Sequence, residues 1–199
     1  MKHVSLPGVA APSGCAACVA DALRRETLPR RASVLDVGSG TGLLAITAAK
    51  RGARSVTALD GSLAARLSIR LNARLNGVRV KTLSANIEAA LAGRRFDVIV
   101  CGVDGSAHTE DDAPAPLDRI VAAAVDGLRP CGFLLVSCPA GRDATFAVSA
   151  LRAAGLEADV VSNAADTRAQ HHGVVVIRAR MPARPPRQVW ESAGQDVAH

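Results

Sequence analysis

Aromatic side chains are scarce in this chain of 199 residues, which has no tyrosine, one tryptophan and three phenylalanines. Proteins that read single-stranded bases stack them on aromatic rings, so nucleic acid ranks behind small molecules and proteins as a partner. Long apolar runs are missing too. No stretch approaches the roughly 20 residues that cross a bilayer, and no membrane partner is expected. Five cysteines, an odd number, do not suit a secreted disulfide framework. Ser13-Gly14-Cys15 resembles the end of an export signal, but Pro7, Gly8 and Pro12 interrupt any hydrophobic segment before it. Export is therefore not expected, and the cytoplasm is the expected compartment. No internal repeat is visible.

The chain that remains after these exclusions is apolar over 49% of its length, with a net charge of +6. That suits one soluble domain large enough to bury a core without staples. A basic balance permits nucleic-acid binding without specifying it. Cys15-Ala16-Ala17-Cys18 is the only Cys-x-x-Cys, and His171-His172 would be the sole second pair for a zinc site. Both cysteines read more simply as small apolar residues of a helix, so no metal is expected.

The most informative stretch is Val34-Leu35-Asp36-Val37-Gly38-Ser39-Gly40-Thr41-Gly42. It reads as a buried strand entering a glycine turn, with a helix from Leu43 to Lys50 behind it. Glycine accepts positive φ and lets a ligand approach bare backbone, and the helix aims its free amides into the same space. A dinucleotide fingerprint needs a third glycine where Leu43 stands, and no Gly-Lys-Ser/Thr closes a Walker loop. Asp36 would sit badly beside a pyrophosphate and well beside a cation. Asp60, followed by Gly61, ends a second apolar run and is placed to take ribose hydroxyls. Two carboxylates around a glycine turn suit a ligand with a positive centre, an amine and a ribose. S-adenosylmethionine fits that description; a nicotinamide fits it poorly.

The stretch also resembles the cofactor motif of the class I S-adenosylmethionine-dependent methyltransferases. Asn72 to Val78 is similar to the Asn-x-x-x-Asn-Gly segment of their small methyltransferase domain group. That group includes the release-factor glutamine and ribosomal protein L11 methyltransferases. Phe96 to Val100 resembles the fourth strand, and Leu128-Arg129-Pro130-Cys131-Gly132 resembles the Leu-x-Pro-Gly-Gly turn, with Cys131 in place of a glycine. The resemblance implies a seven-stranded α/β Rossmann-like sheet, mostly parallel with an antiparallel last strand and helices on both faces. The domain would run over residues 13–180, between a loosely held segment 1–12 and a disordered tail from 181 to 199. It implies that Asp36, Gly38, Ser39, Gly40 and Gly42 hold the methionine end, with Asp60 and Gly61 at the ribose. Asn86 would accept from the adenine amino group, Ile87 would pack on the ring, and Cys101 would close the strand edge.

Two departures bear on the acceptor. The group's Asn-Pro-Pro-Tyr/Phe motif, which holds an amide or adenine nitrogen, is replaced by Cys101-Gly102-Val103-Asp104-Gly105. Gly14 stands where an acid of the N-terminal covering segment is usual. Near the strand edge Asp104 and His108 are the candidates for a general base, which is needed only if the nucleophile carries a proton. Ser106, Asp111 and Asp112 are their polar neighbours. The expected function is methyl transfer to a small molecule or a protein. A binding module that keeps the cofactor without transfer, and an RNA methyltransferase, are the alternatives.

Elsewhere the pattern predicts helices from Cys15 to Arg25, from Leu63 to Leu75, from Leu117 to Leu128 and from Thr145 to Ala154. Strands are predicted at Val78–Leu83, Phe133–Ser137, Ala158–Val161 and Val174–Arg178. In the second helix Arg66, Arg70 and Arg74 line one face, read as solvated and opposite Leu63, Leu67, Leu71 and Leu75.

Overall fold

A computed structural model describes residues 1–84, 86–102, 117–140, 142–162 and 173–183. Seven strands form one sheet in the order β3-β2-β1-β4-β5-β7-β6. They are β1 (Ser33–Val37), β2 (Ser55–Leu59), β3 (Lys81–Leu83), β4 (Phe96–Cys101), β5 (Leu128–Pro139), β6 (Glu157–Ser162) and β7 (Val174–Arg180). The helices are α1 (Gly14–Arg25), α2 (Leu43–Lys50), α3 (Leu63–Leu75), α4 (Ile87–Leu91), α5 (Leu117–Gly127) and α6 (Arg142–Ala153). Strands β1 to β5 pair in parallel, and β7 runs antiparallel to both β5 and β6. This is the sheet that the sequence leads one to expect.

The strands are buried on both faces because their side chains alternate between two apolar layers. Val34, Val98 and Val100 pack with Cys18, Val19, Leu23, Leu44 and Ile69. Leu35, Ile99 and Cys101 point the other way, into a layer with Leu91, Ile120, Ala147 and Leu151. Helix starts follow the capping expectation. Ser13 Oγ accepts from the Ala16 amide and Ser62 Oγ from the Ala65 amide, so each satisfies an otherwise orphaned donor.

Five details differ from the sequence reading. Strand β3 begins only at Lys81, and β5 starts at Leu128, five residues early. Gly132 permits that extension, since a Cβ there would lie 2.8 Å from the Asp97 carbonyl. Asn86 opens a short helix in place of a plain loop, its Oδ1 accepting from the Ala89 amide at 2.9 Å. Residues 2–6, read as loose, are hydrogen-bonded along α3. The amides of Lys2, Val4 and Leu6 donate to Asn76 Oδ1, Asn72 Oδ1 and Ser68 Oγ.

The fifth correction concerns the faces of α3. The leucine row is outside, with Leu63, Leu67, Leu71 and Leu75 all exposed. Its buried face is Ala65, Ser68, Ile69, Asn72 and Ala73. Small side chains bring the helix close to the glycine turn, where a Cβ on Gly42 would meet Ile69 at 3.3 Å. Bulky leucines on that face would hold the helix off.

Candidate functional site

The C-terminal ends of β1, β2 and β4 converge on one edge of the sheet, where open α/β sheets place their ligands. Gly38, Gly40 and Gly42 all adopt left-handed backbone, with φ of 64°, 54° and 88°. Any other L-residue would be strained there. A Cβ on Gly38 or Gly40 would meet nothing within 4 Å. The turn is thus backbone facing open space. It is pinned by the Ser39 amide donating to the Leu59 carbonyl and the Gly42 amide donating to the Ser39 carbonyl.

Asp36 lies under this turn and is wholly buried. Its Oδ2 accepts from Ser39 Oγ at 2.5 Å and from the Ala45 amide of α2 at 2.9 Å, so one oxygen ties the turn to the helix. Its Oδ1 has no hydrogen-bond partner among the described residues. A buried carboxylate left half-satisfied is costly. Burial, only partly offset by those hydrogen bonds and reinforced by the charge of Asp60, pushes its pKa up to about 7. Such a group is stabilised by a cation, and the orphaned Oδ1 fits the positively charged end of S-adenosylmethionine.

Asp60 spans the gap between turn and α3. Its Oδ2 accepts from the Gly40 amide at 2.8 Å and its Oδ1 from the Ser62 amide at 2.9 Å. These two bonds fix the orientation of the carboxylate between the turn and the helix. Gly61 follows on the exposed side.

Asn72 is a residue whose site role the motif did not disclose. It is fully buried. Its Nδ2 donates to the Thr41 carbonyl at 2.9 Å and the Val4 carbonyl at 2.8 Å, while its Oδ1 accepts from the Val4 amide. One amide thereby joins the glycine turn, α3 and the N-terminal segment. The Asn-x-x-x-Asn-Gly spacing was the available signal, since it places Asn72 and Asn76 one turn apart on a single face.

The remaining expected residues divide. Ile87 is buried in the layer that includes Val37 and Leu59, directly below the strand ends. Asn86 is exposed and its Oδ1 is already engaged as the α4 cap, so acceptance from an adenine amino group would share that oxygen. Cys101 is buried, and burial followed by the nearby Asp36 charge pushes its thiol up to about 12. It is an apolar wall, not a thiolate. Beside it a Cβ on Gly102 would meet Ala16 Cα at 3.0 Å, which shows that the start of α1 closes this side of the edge. Asp104, Ser106, His108, Asp111 and Asp112 lie outside the described residues, as do His171, His172 and the tail from 184 onward. Among the described residues no cluster of three His, Cys, Asp or Glu is placed to hold a metal, and no helix is long and apolar enough to cross a membrane.

Fold and turn together define a Rossmann-like domain of the methyltransferase kind. The chain belongs to the methyltransferase small domain family, whose model matches residues 14–166. It is 33% identical over 159 residues to the ribosomal protein L11 methyltransferase of Pelotomaculum thermopropionicum, covering 75% of this chain and 47% of that protein. Two solved structures share the fold. The precorrin-6y C5,15-methyltransferase of Geobacter metallireducens superposes with a TM-score of 0.66 at 18% identity, over 89% of this chain and 94% of that one. The Thermus thermophilus 16S rRNA N2 G1207 methyltransferase, solved with AdoMet and guanosine, gives 0.65 at 23% identity over 88% and 44%. The chain spans about a quarter to a half of the length of the curated relatives it matches.

Proposed function

We propose that this protein transfers a methyl group from S-adenosylmethionine to a small-molecule acceptor. The observation that carries the reading is the unpartnered, buried Oδ1 of Asp36 beneath an open left-handed glycine turn. When bound, the cofactor supplies a methyl carbon already activated by its sulfonium. Gly38 and Gly40 offer backbone to the methionine end, Asp36 offsets its positive charge, and Asp60 takes the ribose. Ile87 supplies apolar surface below the adenine. With the methyl group activated, the protein's task is to align an incoming nucleophile and exclude water, and alignment alone can account for much of such a rate. Asp104 and His108 are the proposed acceptors of a proton where the nucleophile carries one.

The choice of acceptor class rests on the aromatic residues. Phe96 and Phe133 are buried in the core, and Phe146 is exposed on α6 against Val121, Val125 and Ala150. None of these three stands at the strand edge as a stacking platform for a base, and Trp190 lies outside the described residues. The named relatives act on a protein, a precorrin and an rRNA, which is why the acceptor is argued from this chain's own residues. The cytoplasm is the proposed compartment.

Calorimetric titration with S-adenosylmethionine, S-adenosylhomocysteine and NADH tests the pocket. Both adenosyl ligands should bind and NADH should not; binding of NADH alone would refute the assignment. Labelled methyl incorporation into a metabolite extract then tests transfer. Tight cofactor binding with label found only in RNA or protein would overturn the small-molecule acceptor. Binding with no incorporation into any fraction would favour the module that holds the cofactor without transferring from it.

A further inference from the structure

Helix α3 carries four large hydrophobic side chains on its outside. Leu63, Leu67, Leu71 and Leu75 are 63%, 45%, 37% and 44% exposed. They recur every four residues along a helix of 13 residues, about 20 Å long at 1.5 Å per residue. Soluble proteins scatter exposed leucines singly, and a contiguous row marks a contact surface. At 100° per residue the row has a different neighbour on each flank. On one side run Arg66, Arg70 and Arg74. On the other is the Ser68–Asn72–Asn76 ridge, to which the N-terminal segment is hydrogen-bonded. That segment adds Met1 and Val4, themselves 50% and 41% exposed.

The charge around the row has one sign. From Gly61 to Ile87 the chain has the cations Arg66, Arg70, Arg74, Arg79 and Lys81 and no aspartate or glutamate. The recorded bonds of Arg66 and Arg70 end on neutral acceptors, the Asp60 and Gly61 carbonyls and Thr82 Oγ1. Among the described residues neither arginine is in an ion pair. We propose that this face of α3 docks an amphipathic helix of a partner protein, apolar along one stripe and acidic beside it.

Spacing favours a helix as the occupant, because a ridge of every-fourth residues is the element that fits the groove of another helix. A partner stripe of leucines flanked by glutamates would meet the leucine row and the arginine row together, and the acidic flank would steer the encounter. A second copy fits less well. In an antiparallel pairing of two α3 helices through their leucine rows, arginine row lies against arginine row. Leucine beside arginine is also the composition of helices that lie on lipid, and the vesicle arm of the test separates that occupant from a partner helix. The face is distinct from the glycine turn, so its occupant does not depend on the methyl acceptor.

The test uses the full chain and two synthetic helical peptides of 16 residues, each with leucines at four-residue spacing. One is flanked by glutamates and the other by lysines. Fluorescence anisotropy should show the glutamate peptide binding at least tenfold tighter than the lysine peptide. Leu67→Ser with Leu71→Ser should weaken it at least tenfold, and Arg70→Glu with Arg74→Glu should reverse the preference. Affinity for S-adenosylmethionine, measured on the same variants, should not change and reports that they are folded. Equal binding of the two peptides, or indifference to the leucine changes, would overturn the proposal. So would flotation with phosphatidylserine vesicles, or a concentration-dependent dimer in sedimentation, that the leucine double variant abolishes while the glutamate peptide fails to bind.

Discussion

Two aspartates in neighbouring strands show how the ends of this sheet differ. Asp97, at the start of β4, is partly exposed and paired through one oxygen. Its Oδ2 accepts from the Ser33 amide at 2.7 Å, from Ser33 Oγ at 2.8 Å and from Arg129 at 2.8 Å, and the arginine completes an ion pair. Asp36, near the end of β1, is wholly buried, and one of its oxygens has no hydrogen-bond partner among the described residues. The first aspartate closes a structural joint at the N-terminal edge. The second stores an unmet demand at the C-terminal edge, beside three left-handed glycines. A domain of this size can carry one such local cost where binding returns it.

Removing the demand should have the largest effect. Asp36→Asn should weaken S-adenosylmethionine by roughly 100-fold, about 2.7 kcal/mol, while the variant without ligand melts no lower than the parent at pH 8. A variant that binds normally would end the role assigned to Oδ1. The same group sets a pH dependence. Its folded pKa of about 7 lies above its unfolded value of 3.8, so the folded state holds the proton more tightly. Its contribution to stability is therefore greatest near and below pH 4 and is lost as pH rises to about 7. Denaturant midpoints from pH 5 to 8 should follow that fall in the parent and flatten in Asp36→Asn. Binding of a cation favours the ionised form, so cofactor binding at pH 6 should release a proton, seen by calorimetry in buffers of different ionisation enthalpy.

Asn72→Ala comes next. It strands the Thr41 and Val4 carbonyls and should cost about 2 kcal/mol of stability, with weaker cofactor binding because the turn loses its hold on α3. Chemical denaturation and calorimetry on one preparation would check both. Asp97→Asn sharpens the contrast from the other side. It should cost about 1 kcal/mol, the range for a partly exposed pair, and leave cofactor affinity unchanged; a tenfold loss of affinity would erase the distinction between the two edges. The smallest effect is a gain. Cys131 holds a left-handed φ of 64° in the place where the family turn has glycine. Cys131→Gly should relieve that strain and raise stability by about 0.5–1 kcal/mol, read as a small upward shift in melting temperature.

Much of this was legible along the chain. The glycine turn, Asp36 and Asp60 stand out because the local backbone demands them, and the strand pattern repeats with a period that needs no partner to be seen. The caps Ser13 and Ser62 were equally local. Helix α3 was not legible in the same way. Its leucines and arginines each recur every four residues, so periodicity marks a helix with two rows and leaves open which row goes inside. Size settled it. The small face of Ala65, Ser68 and Ala73 allows the close approach that the glycine turn requires, which leaves the leucines outside. The cap role of Asn86 was likewise hidden, because the fourth helix that its side chain opens is too short to show a period.

The chain alone thus determined the position of the turn and the acids around it, because glycine placement and sequence spacing are local properties, while the seven-stranded sheet was implied by the family resemblance of its motifs. Tertiary structure decided what those acids do. Only packing buries Asp36 with one oxygen unpaired, bridges Asp60 between Gly40 and Ser62, and brings Asn72 against Thr41 across 31 residues of chain. Burial and long-range hydrogen bonding arise when segments distant in sequence share a core, and that is where a carboxylate becomes a site.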